Sequence, residues 1–226
     1  MLVVGFDTGT PAVSAALHDG NQVVSEAFAV DARRHGELLT PMIAKVLADA
    51  GASRADLTAV AVGVGPGPYT GLRVGVVTAR VLAAVLGIPV YGVCTLDVIA
   101  AEVPASGTDF LVATDARRKE VYWARYGPGG ERAEGPLVGR ASSIPDAAGM
   151  AVAGTGGQLY PEAFGEVIAP AYPQARTLCE IVARQLEDAP DGGADTRPVQ
   201  LLAAEPLYLR RPDAREPGPP KRVTPS

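Results

Sequence analysis

Apolar positions in this chain repeat every second residue near its start and every third or fourth soon after. Leu2–Phe6 is a short apolar run, and Pro11–His18 and Gln22–Val30 alternate on either side of the turn sequence Asp19-Gly20-Asn21. A period of two marks strands with one face on a core, and short turns make consecutive strands antiparallel. Residues 2–30 therefore predict a three-stranded meander. The period then lengthens. Leu38, Leu39, Met42, Ile43, Val46 and Leu47 share one helical face, Glu37, Lys45 and Asp49 lie opposite, and Gly51 stands where a helix stops. Pro41 deletes a donor inside that pattern, so regular helix is expected to begin near it or to kink there. Strand Asp56–Val64, helix Leu72–Leu86, strand Pro89–Val93 and helix Thr95–Val103 follow. This βββ-α-β-α-β-α order predicts a mixed sheet with helices packed on it.

Pro104–Asp109 reads as a boundary that separates a first lobe, residues 1–105, from a smaller second lobe, residues 106–210. In the second, Phe110–Thr114 and Glu120–Tyr126 predict strands around the turn Asp115–Lys119, and Gly127–Gly130 is another turn. Met150–Gly154 predicts a short strand, Gln174–Leu186 a helix, Pro190–Pro198 a loop and Pro206–Arg210 a last extended piece; Val199–Ala204 fits more than one state. Residues 211–226 hold five prolines in sixteen positions, the composition of a disordered tail.

The densest local signal is Val64–Gly75, where a strand runs into Gly65-Pro66-Gly67-Pro68 and then into a long apolar helix. A strand, a rigid turn and a helix N-terminus can present free N–H groups to an anion. The spacing matches neither common nucleotide-binding glycine motif, and a tight strand–helix connection explains it equally. The helix carries only Arg73 and Arg80 as charges. Gly71, Gly75, Ala79 and Ala83 recur every four residues as a smooth strip, which suits either close docking of a second helix or ordinary core. At the end of the first strand, Asp7, Thr8, Gly9 and Thr10 can hold a hydrated cation and a phosphate, or simply satisfy a turn.

Composition narrows the classes. The 226 residues are 47% hydrophobic but only 5% aromatic, so the core is built from small aliphatics, and a net charge of −5 gives no overall field for nucleic acid. Cys94 and Cys179 are far apart with no CxxC, which points to buried thiols in a reducing compartment. With no leader and no apolar run of 18 residues, a soluble cytoplasmic chain is expected. His18 and His35 lie on different elements without the spacing of a metal site, and no Ser or Cys sits in a nucleophile motif, so neither metal nor acyl chemistry is indicated. Arg33, Arg34 and His35, and likewise Arg117, Arg118 and Lys119, are solvated basic turns unless a partner or an RNA backbone meets them.

Four segments together resemble the TsaB family, formerly YeaZ: FDTGTPAVSAAL (6–17), RRHGELLTPMI (33–43), VGVGPGPYTGLRVGVVTARVLAAVLGIPVYGV (62–93) and LVATDARRKEVYWARY (111–126). The resemblance implies an α/β fold of the actin, sugar kinase and Hsp70 (ASKHA) type with two lobes of mixed sheet and packed helices. It makes Asp7, Thr8, Gly9 and Thr10, with Gly65 and Gly67, the remnant of a phosphate site. The family's catalytic relative, TsaD, binds metal through an HxxxH pair; the matching positions here are Thr95 and Ile99, and Ile99 cannot ligate. The implied role is a non-catalytic partner of TsaD, with TsaE joining, in threonylcarbamoyl transfer to adenosine 37 of tRNA. It implies no metal and no cofactor of the chain's own, with ATP or ADP at the interface shared with TsaD, and a homodimer when alone. It also implies pairing through helices 38–50 and 71–86, at Leu38, Leu39, Met42, Val46, Gly71, Arg73, Gly75, Ala79, Arg80 and Ala83. A small-molecule kinase or ATPase of the same fold is the alternative.

Overall fold

The computed structural model describes residues 1–105, 107–187 and 199–210. The expected loop at 190–198 and the expected tail at 211–226 lie outside the described residues. The first sheet takes β1 (Val3–Asp7), β2 (Ala12–His18), β3 (Val23–Val30), β4 (Ala59–Gly63) and β5 (Val90–Val93) in the order β3-β2-β1-β4-β5. β1, β2 and β3 form the expected antiparallel meander, while β4 runs parallel to β1 and β5 parallel to β4. A second sheet, β8 (Arg132–Gly139), β7 (Val121–Tyr126), β6 (Phe110–Asp115) and β9 (Ala151–Ala153), follows in that spatial order. β8 has no counterpart in the sequence expectation. It contains Gly135 and Pro136 and is mostly half-exposed, so its alternation is blurred.

Alternation decides what each face of the first sheet meets. Val4, Phe6, Val13, Ala15 and Leu17 point to α1 (His35–Asp49) and α2 (Tyr69–Leu86). Val3, Ala16, Ala59 and Ala61 point to the other side, against α3 (Thr95–Ala100) and α5 (Ala175–Glu187). α1 runs through Pro41 without the expected late start. The carbonyl four residues back belongs to Glu37, and both residues are exposed, so water can replace the lost partner. α2 ends at Gly87, whose left-handed φ of 66° closes the last turn. Pro206–Arg210, expected as an extended piece, joins no ladder; the Leu207 amide donates to the Val64 carbonyl, and Leu202 just before it bridges to Gly92.

The two sheets are tied by α3, all six of whose residues are buried. Val98 packs with the first sheet, while Leu96, Ile99 and Ala100 pack with Phe110, Val112 and Tyr126 of the second. Asp97, on the same helix, accepts the Tyr126 hydroxyl at 2.7 Å and lies 3.6 Å from the Arg132 guanidinium. α5, which the sequence assigns to the second lobe, crosses the first sheet. Leu178 and Cys179 are fully buried there, so closely that a side chain on Gly5 would overlap the Cys179 sulfur. Cys94 and Cys179 are both free and buried, and burial pushes the Cys94 thiol up to about 12.

This arrangement makes the first sheet dependent on the chain beyond residue 105. A fragment of residues 1–105 exposes Val3, Ala16, Ala59 and Ala61, which α5 covers in the full chain. The expected outcome is a single calorimetric transition for the full chain and none that is cooperative for the fragment. Cooperative melting of the fragment would show that the sheet closes by itself.

Candidate functional site

β1 ends in Asp7-Thr8-Gly9-Thr10, and the Gly65-Pro66-Gly67-Pro68 turn lies directly on it. Asp7 is 0% exposed, and its two carboxylate oxygens accept the Gly9 amide and the Thr95 hydroxyl, each at 2.7 Å. Thr95 also accepts the Gly65 N–H at 3.1 Å, and its own amide donates to the Gly65 carbonyl at 2.7 Å. A side chain on Gly67 would overlap the Gly9 carbonyl. Thr8 donates its hydroxyl to the Gly71 carbonyl at 2.8 Å and accepts the Gly75 N–H at 3.1 Å, bridging one step of α2. Burial raises the Asp7 carboxyl above its ordinary 3.8, against the opposing pull of Gly9, Thr95 and His35.

Asp7, Thr8, Gly9, Thr10, Gly65 and Gly67 are thus brought together as the sequence suggests. All six are buried, and the Asp7 carboxylate and the Thr8 hydroxyl have partners within the chain. His35 Nε2 meets the Thr10 carbonyl at 2.8 Å, and His18 Nδ1 accepts the Gly20 amide at 3.0 Å. Ile99 is in the core between the sheets. Arg34 pairs with Asp31.

The expected docking strip on α2 is corrected. Gly71, Gly75, Ala79 and Ala83 are buried against the chain's own sheet. A Cβ on Gly71 would lie 2.5 Å from the Thr8 carbonyl oxygen, and one on Gly75 2.5 Å from the Thr8 hydroxyl. These glycines admit β1, not a second chain. On α1, Leu39 and Val46 are core, while Leu38 and Met42 are half-buried at its edge. Arg73 and Arg80 do face outward. What sequence reasoning missed lies beside them: Val77, Val81 and Val85 are 52%, 56% and 78% exposed. Their signal was present as three valines spaced by four, on the side of the helix opposite the small residues. α2 is also 18 residues long with mean hydropathy 1.4, enough by length and composition to cross a membrane, although Arg73 and Arg80 interrupt it as the sequence indicated. Its inner face is packed on β4 and α1.

Two outcomes follow. Gly75→Ala should lower stability by about 1–3 kcal/mol in denaturant titrations, because the neighbouring Thr8 is itself hydrogen-bonded; an unchanged midpoint would contradict the close approach. For Asp7 the folded carboxyl is raised, so its protonated form favours folding. That contribution is present below the unfolded value of 3.8 and is lost as pH rises through the folded one. Asp7→Asn removes the loss. The melting temperature of this variant, relative to the parent, should be higher at pH 7 than at pH 4; the reverse trend would mean a stabilised anion.

The chain is matched over residues 22–152 by the family model described as TsaD, tRNA N6-adenosine threonylcarbamoyltransferase. It is 45% identical to an uncharacterised protein of Mycobacterium tuberculosis, over 94% of this chain and 93% of that one. It is 33% identical to the tRNA threonylcarbamoyladenosine biosynthesis protein TsaB of Escherichia coli, over 93% and 95% of the two chains. The solved structure of YeaZ from Pseudomonas aeruginosa superposes with a TM-score of 0.73 and 29% identity, covering 92% of this chain and 99% of that one. The two mixed sheets with packed helices in this chain agree with the α/β fold expected from the sequence. On sequence, length and fold together, the chain belongs to the TsaB (YeaZ) family.

Proposed function

We propose that this chain is a non-catalytic subunit in the biosynthesis of threonylcarbamoyladenosine in tRNA, and that it pairs with and activates a TsaD partner in the cytoplasm. One observation carries the reading: α2 leaves Val77, Val81 and Val85 exposed in a row along its outer side. A row of exposed valines on a packed helix is an unfinished core, and a partner helix of similar apolarity finishes it. The outward Arg73 and Arg80 flank the row and can set its register against partner carboxylates.

The same geometry supports the absence of chemistry of its own. Thr95 and Ile99, at the positions of the transferase's histidine pair, are committed to Asp7 and to the core between the sheets. A kinase or ATPase of this fold would need Asp7 open to a nucleotide, yet it is fully buried and bonded to Gly9 and Thr95. The proposed subunit therefore contributes surface. It holds no nucleotide or metal itself, and ATP or ADP belongs to the interface shared with TsaD. TsaE and the tRNA are reached through the assembly.

Mixing the purified chain with the TsaD of the same organism should give a 1:1 complex by light scattering after size exclusion. Val81→Asp and Val85→Asp should weaken it at least ~30-fold, since each places an unpaired charge in an apolar contact. Val24→Asp, on the edge strand β3, should not. Threonylcarbamoyl transfer should need both chains. Turnover by this chain alone, or equal affinity of all three variants, would overturn the proposal.

A further inference from the structure

β3 (Val23–Val30) is the outermost strand of the first sheet, and among the described residues no strand lies along its free side. The backbone N–H and C=O groups on that side are open to pairing. Its side chains alternate between half-buried and exposed. Ser25 and Ala27 turn toward α1, where the Ser25 hydroxyl donates to the Val46 carbonyl at 2.6 Å and Ala27 packs on the core beneath α1 and α2. Val24, Glu26, Phe28 and Val30 turn to the opposite side, and the Phe28 ring lies 6.2 Å from that of Tyr172, just ahead of α5. α5 packs chiefly on β1 and β2, so Val24, Phe28 and Val30 stay 37%, 45% and 52% exposed. Between β3 and α5 runs a groove of about 670 Å³, lined among others by Val24, Glu26, Glu180, Arg184 and Glu187. Arg176, also on its wall, is tied to Glu102. No cation among the described residues pairs with Glu26, Glu180 or Glu187, so the groove is acidic despite Arg184.

An unpaired strand edge, an apolar row and an acidic wall together suit an extended chain. We infer that β3 accepts a segment of a partner protein as a sixth strand of the first sheet, with apolar side chains opposite Val24, Phe28 and Val30 and a lysine or arginine opposite Glu26. Main-chain hydrogen bonds supply the affinity, and the groove carboxylates select the charge. A docked helix keeps its amides for itself and leaves the strand edge unused. A second copy of this chain is the wrong occupant, because antiparallel self-pairing of β3 gathers Glu26, Glu180 and Glu187 of both copies in one place. The exposed row of β3 and the packed helix α2 lie on opposite sides of the sheet, so this surface is separate from the one proposed for TsaD and does not rest on it.

Fluorescence anisotropy of the full chain with the fluorescein-labelled nonapeptide KVTVTKTVK in low salt tests this. Two forms of the peptide, N-methylated at alternate amides, each block one of its hydrogen-bonding edges. Binding of the parent peptide is expected. At least ~10-fold loss should follow in one methylated form, in the glutamate analogue EVTVTETVE, and in the chain variants Glu26→Lys and Glu187→Lys. Circular dichroism and melting confirm that each variant is folded, and pairing with TsaD should be unchanged by Glu26→Lys. No binding of the lysine peptide, equal binding by EVTVTETVE or by both methylated forms, or indifference to Glu26→Lys would overturn the inference. Self-association of the free chain that Phe28→Lys abolishes would overturn it in favour of a homodimer. Loss of TsaD pairing in Glu26→Lys would overturn it as well, by making the two surfaces one.

Discussion

The carboxylate of Asp7, enclosed and hydrogen-bonded to Thr95, ties the end of β1 to the turn and the helix that pack on the first sheet. Through Thr95 it reaches the start of α3 and the Gly65 amide; through its own Gly9 it anchors the loop that Gly67 covers. Thr8, one residue on, is bonded to the first turns of α2. A buried polar cluster is costly unless its members are satisfied, and here the side chains of Asp7, Thr8 and Thr95 all have hydrogen-bond partners. Moving any of β1, the proline turn, α2 or α3 would break a bond in a place water does not reach.

Burial explains which readings of the sequence succeed. β3, α1 and α2 follow from period because each has a more buried face and a wetter one, while β1, β2 and β4, buried throughout, stand out as short apolar runs bounded by turn residues. The second half is harder. β8 is irregular and half-exposed, and the stretch from 199 to 210 owes its shape to single bridges at Gly92 and Val64 rather than to any repeat of its own. Long-range pairing of that kind leaves no local trace in the residues that make it.

The site shows the same limit more sharply. Asp7–Thr10 and Gly65–Gly67 are visible as a cluster of special residues, but burial is a property of the assembled sheet and cannot be told from spacing. A glycine every four residues is equally what a neighbouring helix or a neighbouring strand end requires. Thr8 decides for the strand end. The valines on the far side of α2 carried the more useful signal, yet a valine on an apolar helix attracts little notice until the helix is known to have an outside. Tyr208 and Tyr69 are separated by most of the chain, so their stack is invisible before folding.

The two cysteines have a practical consequence. Cys94 and Cys179 are enclosed on opposite sides of α3 and α5 packing, and burial lifts both thiols away from the reactive anion. Folded, the chain exposes neither thiol to reagents such as maleimides and methanethiosulfonates. A single cysteine placed on the outer side of α2 would then be the sole handle for a spin label or dye, letting distances to any bound macromolecule be read without first stripping out the native sulfur.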